Sequence, residues 1–283
     1  MKITNKFNLP LPLVNAVSAD IRKPEPMRIS CTELIDSPQI RILKMRRWDE
    51  IEQDVSELLW ALLGRAVHSI LEQSAHENCL VEETLTAVMD GWTVTGRPDL
   101  LDANGILHDW KVTSVYSFLL SEKQTWNNQV NVYANLYQRH GFEVKEAYIN
   151  AILRDWHKSR VGGDYPERPF YEKKVELLDN VLVTDYIRGR LNLHWQAEHH
   201  GELDDCTPEE RWARCDTWAV MKKGKKRADR VFNTEKDCNR YLENALLGGQ
   251  TYTIQHRPGE NIRCEKYCVV KQFCNQYVEI KKG

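Results

Sequence analysis

The chain of 283 residues has no apolar run near the ~18 residues that a membrane-spanning helix needs; its longest apolar patch, residues 58–63, stops at Gly64 and Arg65. No membrane partner is expected. Neither charge sign is in excess, with a formal net charge of −2, so bulk composition does not mark a nucleic-acid binder, although a near-neutral protein can carry a local basic track. Repeats and low-complexity linkers are missing, as is the clean apolar stretch of a secretory leader. The candidate at residues 2–19 is broken by Asn8, Pro10, Pro12 and Asn15, and the expected compartment is the cytoplasm of a bacterial or phage-infected cell. What remains is ordinary globular composition, 42% hydrophobic and 28% charged, enough for one large domain or a domain with an appendage.

Four of the ten prolines fall in residues 1–28, which read as an extended N-terminal arm. A helical pattern starts at Ser30 and is split by Pro38. Apolar positions Ile51, Val55, Leu58, Leu59, Leu62, Leu63, Val67, Ile70 and Leu71 predict one helix over 48–76. The period then changes, predicting strands at 80–89, 92–101 and 106–112, with turns at Asp90-Gly91 and Asn104-Gly105. A helix is expected over 118–139, strands over 146–154 and 169–177, and a helix over 179–200. Strands at 217–222 and 226–232 and a helix over 234–247 follow. This order predicts an α/β fold, a mixed central β-sheet flanked by helices, with a core over 29–200 and a C-terminal region over 201–283 packed on it.

The predicted hairpin contains Gly96-Arg97-Pro98-Asp99 and, after a turn, Asp109-Trp110-Lys111. Carboxylates of neighbouring strands that point to one face repel unless a cation neutralises them. Hard oxygen ligands suit Mg²⁺ or Mn²⁺. Lys111, two residues on from Asp109, projects from the same strand face and is suited to stabilising charge on a phosphate. Such a set performs metal-assisted phosphodiester hydrolysis.

Gly64-Arg65-Ala66-Val67-His68 precedes the hairpin, with Glu72 one helical turn on, and Gln129-Val130-Asn131-Val132-Tyr133 follows it. The ordered set of helical His, Pro-Asp, Asp-x-Lys and Gln-x-x-x-Tyr resembles the RecB-type branch of the PD-(D/E)XK nucleases over roughly residues 30–177. The resemblance implies a restriction-endonuclease-like core. It makes His68, Asp99 and Asp109 metal ligands, with the Trp110 carbonyl as a further oxygen. It makes Lys111 the catalytic lysine, and Gln129 and Tyr133 the residues that orient it or the scissile strand. A neutral His68 is needed for metal binding, so activity is expected to fall in acid.

Three of the eight cysteines crowd the tail as Cys264-x3-Cys268-x5-Cys274. Thiolates select zinc or iron–sulfur clusters, and spacing does not separate the two. In several RecB-type nucleases a 4Fe-4S cluster staples the C-terminus to the core, using one cysteine upstream of the core, often before a proline. Here that slot reads Ser37-Pro38. Cys206, in Cys206-Thr207-Pro208, resembles a phage or prophage variant of the pattern and ranks first as fourth ligand, ahead of Cys215 and Cys31. The cofactors expected are therefore Mg²⁺ or Mn²⁺ and a 4Fe-4S cluster, with Zn²⁺ as the alternative.

Lys222, Lys223, Lys225, Lys226 and Arg227 form a basic turn suited to DNA phosphates. Arg65 and Arg97 are further candidate phosphate clamps, and Trp92 and Trp126 candidate stacking platforms, with core packing the default. The expected function is a DNA nuclease, an exonuclease acting on ends or single strands in recombination, repair or phage DNA processing, with homo-oligomers possible. The alternatives are a non-catalytic DNA-binding scaffold with the nuclease fold and a site-specific endonuclease.

Overall fold

The computed structural model describes residues 1–75, 78–119, 124–200, 203–246 and 251–282, with backbone only at 245 and 246. The chain divides into two compact units, Met1–Asp204 and Asp205–Gly283. No helix among the described residues is long and apolar enough to cross a membrane. The fold is mixed α/β, with several sheets flanked by helices.

The first unit is built on a mixed five-stranded sheet. Its order is Phe170–Val175, Glu146–Leu153, Ile106–Thr113, Leu100–Leu101, Leu80–Val81. Ile106–Thr113 and Glu146–Leu153 run parallel, from Ile106 opposite Glu146 to Thr113 opposite Leu153; the other neighbours are antiparallel. The helix Gln124–Arg139 is the crossover between that parallel pair, as a βαβ unit requires. Its inward residues Val130, Tyr133, Leu136 and Tyr137 join Leu107, Ala147 and Ile149 of the sheet in the main core. A three-stranded sheet, Arg28–Ser30, Trp92–Gly96, Leu85–Met89, closes the other side of that core. Met89 faces Trp92 across the two-residue turn Asp90-Gly91, whose φ values of 47° and 81° are those of a tight primed hairpin.

Two long predicted strands are each broken. Residues 80–89 split into Leu80–Val81 and Leu85–Met89, and residues 92–101 into Trp92–Gly96 and Leu100–Leu101. In both cases the two pieces lie in different sheets. Pro98 has no N–H to continue a ladder, and Glu82 sits at φ 52°, outside strand geometry. Gly96 is closely covered by the helix above it: a Cβ there would come within 2.6 Å of Leu136 Cδ1, so that side chain would have to shift. The two breaks lie side by side, since Glu82 N–H donates to Asp99 O at 3.1 Å.

The helix expected over 48–76 begins only at Leu59 and runs to Gln73. Ile51 and Val55 are buried, but they flank a short strand, Glu52–Asp54, paired in parallel with Lys2–Thr4. The Asp54 carboxylate holds that corner by accepting from Lys6 N at 2.9 Å and Ser56 Oγ at 2.7 Å. The extended arm is also corrected. Residues 1–28 hold that strand and a helix, Leu11–Ser18, whose Pro10 and Pro12 occupy a helix start, where proline is tolerated. The helix predicted over 118–139 is observed as Val115–Leu119 and Gln124–Arg139; residues 120–123 lie outside the described residues.

The second unit has a three-stranded antiparallel sheet, Arg230–Phe232, Thr217–Lys222, Tyr252–Arg257, with the helix Glu235–Leu246. The strand Tyr252–Arg257 was not evident from the sequence. A short pair, Ala213–Arg214 with Glu260–Asn261, precedes the cysteine-bearing tail.

Candidate metal centre

The doubled strand break positions the site. Asp99 follows Pro98 at the point where the chain leaves one sheet for the other, and its side chain is nearly buried. Its Oδ1 lies 3.0 Å from His68 Nδ1, on the helix Leu59–Gln73. Its Oδ2 accepts the Trp110 backbone N–H at 2.6 Å. That bond ties the Trp110 backbone to Asp99. Asp109 and Lys111 flank it on the same strand, and Lys111 Nζ stands 2.7 Å from Asp109 Oδ2.

Lys111 also donates to Gln129 Oε1 at 3.1 Å, and Gln129 Nε2 donates to the Tyr133 hydroxyl at 3.0 Å. The spacing of Gln129 and Tyr133 puts both on the sheet-facing side of the Gln124–Arg139 helix, one turn apart. The structure therefore brings together His68, Asp99, Asp109, Lys111, Gln129 and Tyr133.

The sequence reading missed Glu82. Its Oε1 lies 3.6 Å from His68 Nδ1, and ligand atoms of His68, Glu82 and Asp99 lie within 4.8 Å of one another, the one such set of three among the described residues. Placing residues 80–89 in a single strand hid it; the local signal available was Glu82-Glu83 interrupting the apolar alternation. Glu72 is exposed and acts on Glu82 as a nearby like charge.

The electrostatics are those of a crowded anionic centre. Burial holds the Asp109 carboxyl above its ordinary range, with Lys111 opposing and Asp99 reinforcing the shift. Burial and the neighbouring Asp99 push Glu82 up against the pull of Arg97 and His68. The hydrogen bond to Asp99 raises His68. Burial is thus the leading cause at both carboxyls, the charge of Asp99 adds to it, and the carboxylate beside His68 favours its protonated form. An imidazole nitrogen and carboxylate oxygens are suitable donors for Mg²⁺ or Mn²⁺.

Arg65 and Arg97 are placed differently from the phosphate clamps expected. Arg65 pairs with Asp20 and donates to Ala16 O at 2.6 Å, tying the Leu59–Gln73 helix to the helix Leu11–Ser18 and the residues just after it. Arg97 Nε is engaged by Glu82, 2.8 Å from Oε2 and 3.0 Å from its carbonyl oxygen. Trp92 is 1% exposed and packs beneath the Arg41 guanidinium, so it is a core residue. Trp126 packs partly buried against the main core.

In the second unit Cys206, Cys264 and Cys274 are buried and Cys268 half-buried. Burial, then the nearby Cys268 and Cys274 thiols, raise the Cys264 thiol, with Arg211 and Arg263 opposing. Cys206 is joined to the tail through Gln276, two residues after Cys274. Gln276 Oε1 accepts Cys206 N–H at 3.0 Å and its Nε2 donates to Cys206 O at 2.9 Å. Cys215 is exposed, and Cys31 belongs to the first unit's core, its Sγ 3.7 Å from Gln129 O. Lys223, Lys225, Lys226 and Arg227 are exposed around the turn at Gly224, and Lys222 is half-buried at the strand end.

No family model and no curated protein matches the chain. Among solved structures, the crystal structure of SSO0001 is similar over 64% of this chain and 82% of that chain, at 16% identity and a TM-score of 0.44.

Proposed function

We propose that the protein is a divalent-metal-dependent deoxyribonuclease of the RecB-type PD-(D/E)XK kind, with a restriction-endonuclease-like core, acting in the cytoplasm on DNA ends or single strands. The observation that carries this reading is the convergence of His68, Asp99 and Asp109 with Lys111. Lys111 lies 2.7 Å from Asp109 and is oriented by Gln129. His68, Asp99 and Asp109 would hold Mg²⁺ or Mn²⁺, with the Trp110 carbonyl as a further oxygen donor. A cation there supplies electrophilic stabilisation of a phosphoryl oxygen and an acidified water. Lys111 contributes a fixed positive charge beside the scissile phosphate, and Gln129, braced by Tyr133, keeps the ammonium aimed there. Burial keeps the Tyr133 phenol protonated, so it serves as a hydrogen-bonding brace.

The tail is proposed to carry a 4Fe-4S cluster on Cys206, Cys264, Cys268 and Cys274, with Zn²⁺ as the alternative metal. The pairing of Cys206 with Gln276 supports Cys206 as the fourth ligand. Four thiolates leave no open position for substrate, so the role is structural. The exposed cations at 223–227 supply a surface for DNA phosphates.

Purified protein given Mn²⁺ is expected to degrade DNA. Asp109→Ala and Lys111→Ala are each expected to abolish degradation while far-ultraviolet circular dichroism stays unchanged. Activity retained in both variants refutes the site. A non-catalytic scaffold is separated by the same assay, because it binds DNA without hydrolysing it.

A further inference from the structure

Residues four apart on a helix stand nearly one above the other. On the helix Leu59–Gln73 this puts Trp60, Gly64 and His68 in one slowly winding row, with the exposed Glu72 one turn beyond His68. Trp60 heads the row and is 63% exposed, unusual for so large an apolar side chain. The Arg154 guanidinium lies 4.4 Å from the centre of its ring. That contact uses one ring face and leaves the other to solvent. Arg154 is itself exposed, and its side chain enters no ion pair among the described residues. One turn on from Trp60 the row has a gap, since a Cβ at Gly64 would meet nothing within 4 Å. The pair also stands close to Lys111. The Arg154 N–H donates to Thr113 O at 2.9 Å, and Thr113 is about 7 Å along the strand from Lys111.

We propose that Trp60 and Arg154 form a stacking subsite for one unpaired base of single-stranded DNA, whose backbone crosses Gly64 toward His68. The occupant rests on the nuclease reading; the subsite narrows that reading from DNA in general to a single-stranded end. An indole face offers the flat surface on which any base stacks, and an unpaired guanidinium offers the charge that the neighbouring phosphate needs. Gly64 supplies the clearance: a side chain there would stand between the stacked base and the imidazole. The spacing fits a strand. Trp60 is about 12 Å from His68 along the helix, at about 1.5 Å per residue, the reach of three or four nucleotides at about 3.4 Å each. A blunt duplex keeps its bases stacked within the helix and must unstack one, at some cost, to use Trp60. The subsite therefore discriminates between the two forms of DNA, a role that a phosphate contact alone does not serve.

The test is binding of the full chain, in EDTA, to an oligothymidylate carrying one 2-aminopurine and to a blunt duplex, followed by anisotropy and by 2-aminopurine emission. The wild type is expected to bind the single strand and to quench the probe. Trp60→Ala is expected to weaken single-strand binding about 5–100-fold, the usual effect of losing one stacked base. It should also abolish the quenching and leave duplex affinity unchanged. Trp60→Phe keeps a ring face and should recover most of the loss. Arg154→Gln should weaken single-strand binding and flatten its salt slope by about one phosphate. Gly64→Leu, a better helix former, should raise the KM for single strands with Mn²⁺ affinity unchanged. Single-strand affinity or quenching kept in Trp60→Ala overturns the proposal, as does an equal loss on single strand and duplex. A wild-type dimer that Trp60→Ala turns into a monomer overturns it too, by making Trp60 a protein interface. Quenching that depends on Trp60, without hydrolysis in Mn²⁺, would sink the nuclease reading and leave the subsite standing. Hydrolysis that ignores Trp60 would do the reverse, and a wild type that binds no single strand sinks both.

Discussion

Lys111 is held from two sides, its ammonium 2.7 Å from Asp109 Oδ2 and 3.1 Å from Gln129 Oε1. Gln129 is 8% exposed and is itself fixed by Tyr133, so the lysine is held by a buried amide. Gln129→Ala is expected to lower kcat on DNA about 100-fold, the size of effect that small misplacements of a reacting group produce. Mn²⁺ affinity and the KM for DNA should stay within a few-fold. Tyr133→Phe removes one hydrogen bond worth about 1 kcal/mol and should lower kcat about fivefold. Steady-state kinetics with calorimetric Mn²⁺ titration checks both. A rise in KM at constant kcat would mean that Gln129 binds DNA and does not position Lys111.

Local chemistry made part of this centre legible in the sequence. Asp-Gly and Asn-Gly fix turns, and Asp109-Trp110-Lys111 lies within a strand where alternate residues share a face. Gln129 and Tyr133 fall one helical turn apart by number alone. Glu82 was hidden because its place depends on two strands leaving their sheets side by side, which no local pattern encodes. Helical spacing over Ile51 and Val55 misled for a similar reason: those residues flank a strand whose partner is Lys2–Thr4, about fifty positions away. The prolines of residues 1–28 suggested an extended arm, yet Pro10 and Pro12 sit at a helix start where their missing N–H costs little.

The cysteine tail carries its own prediction. Protein purified without oxygen is expected to be brown, with broad visible absorption, iron and acid-labile sulfide. Cys264→Ala and Cys206→Ala should each lose that absorption, and Cys215→Ala should keep it, because Cys215 is exposed. Gln276→Ala should lower cluster content less than the cysteine substitutions, since it removes the bonds that place Cys206 and leaves every thiol. A colourless protein containing zinc would replace the cluster with the alternative metal and leave the four ligands in place.

The basic turn predicts salt dependence. Lys225, Lys226 and Arg227 are exposed. Lys225→Ala with Lys226→Ala and Arg227→Ala should weaken DNA binding uniformly across sequences. The slope of log affinity against log salt should flatten by up to about one for each phosphate that the protein no longer neutralises. Fluorescence anisotropy over a salt series measures this, and an unchanged slope would mean that these cations face solvent alone.

His194 predicts how stability responds to acid. It is 0% exposed, and its Nε2–H donates to Leu34 O at 3.2 Å. Burial lowers its imidazole to about 4 from an ordinary 6.5; Arg190 and Arg41 add to the shift, and the bond to Leu34 and the charge of Asp36 oppose it. A depressed folded-state value means that the unfolded chain binds the extra proton. The contribution is therefore complete above about 6.5 and is lost as pH falls toward 4. That interval corresponds to roughly 3 kcal/mol at about 1.4 kcal/mol per pH unit. Urea denaturation of the wild type should lose stability over this window, and His194→Gln should flatten the loss even though it starts less stable. Parallel pH profiles would show that another group titrates.

Arg41 and Glu198 form a buried ion pair, their side chains 2% and 8% exposed. The Arg41 guanidinium also donates to Arg28 O at 3.2 Å and lies 5.1 Å over the Trp92 ring. Two charges taken out of water contribute little net stability as a pair, but either one left alone is costly. Arg41→Ala is expected to destabilise the first unit by about 3–5 kcal/mol, because Glu198 then keeps a buried charge without its partner. Arg41→Met combined with Glu198→Leu removes both charges at similar volume and should recover most of that loss. Guanidinium unfolding of Arg41→Met, of Glu198→Leu and of the double variant forms a cycle. A double variant as unstable as the sum of the singles would mean that Arg41 acts through Trp92 and Arg28, by packing and hydrogen bonding, and not through its charge on Glu198.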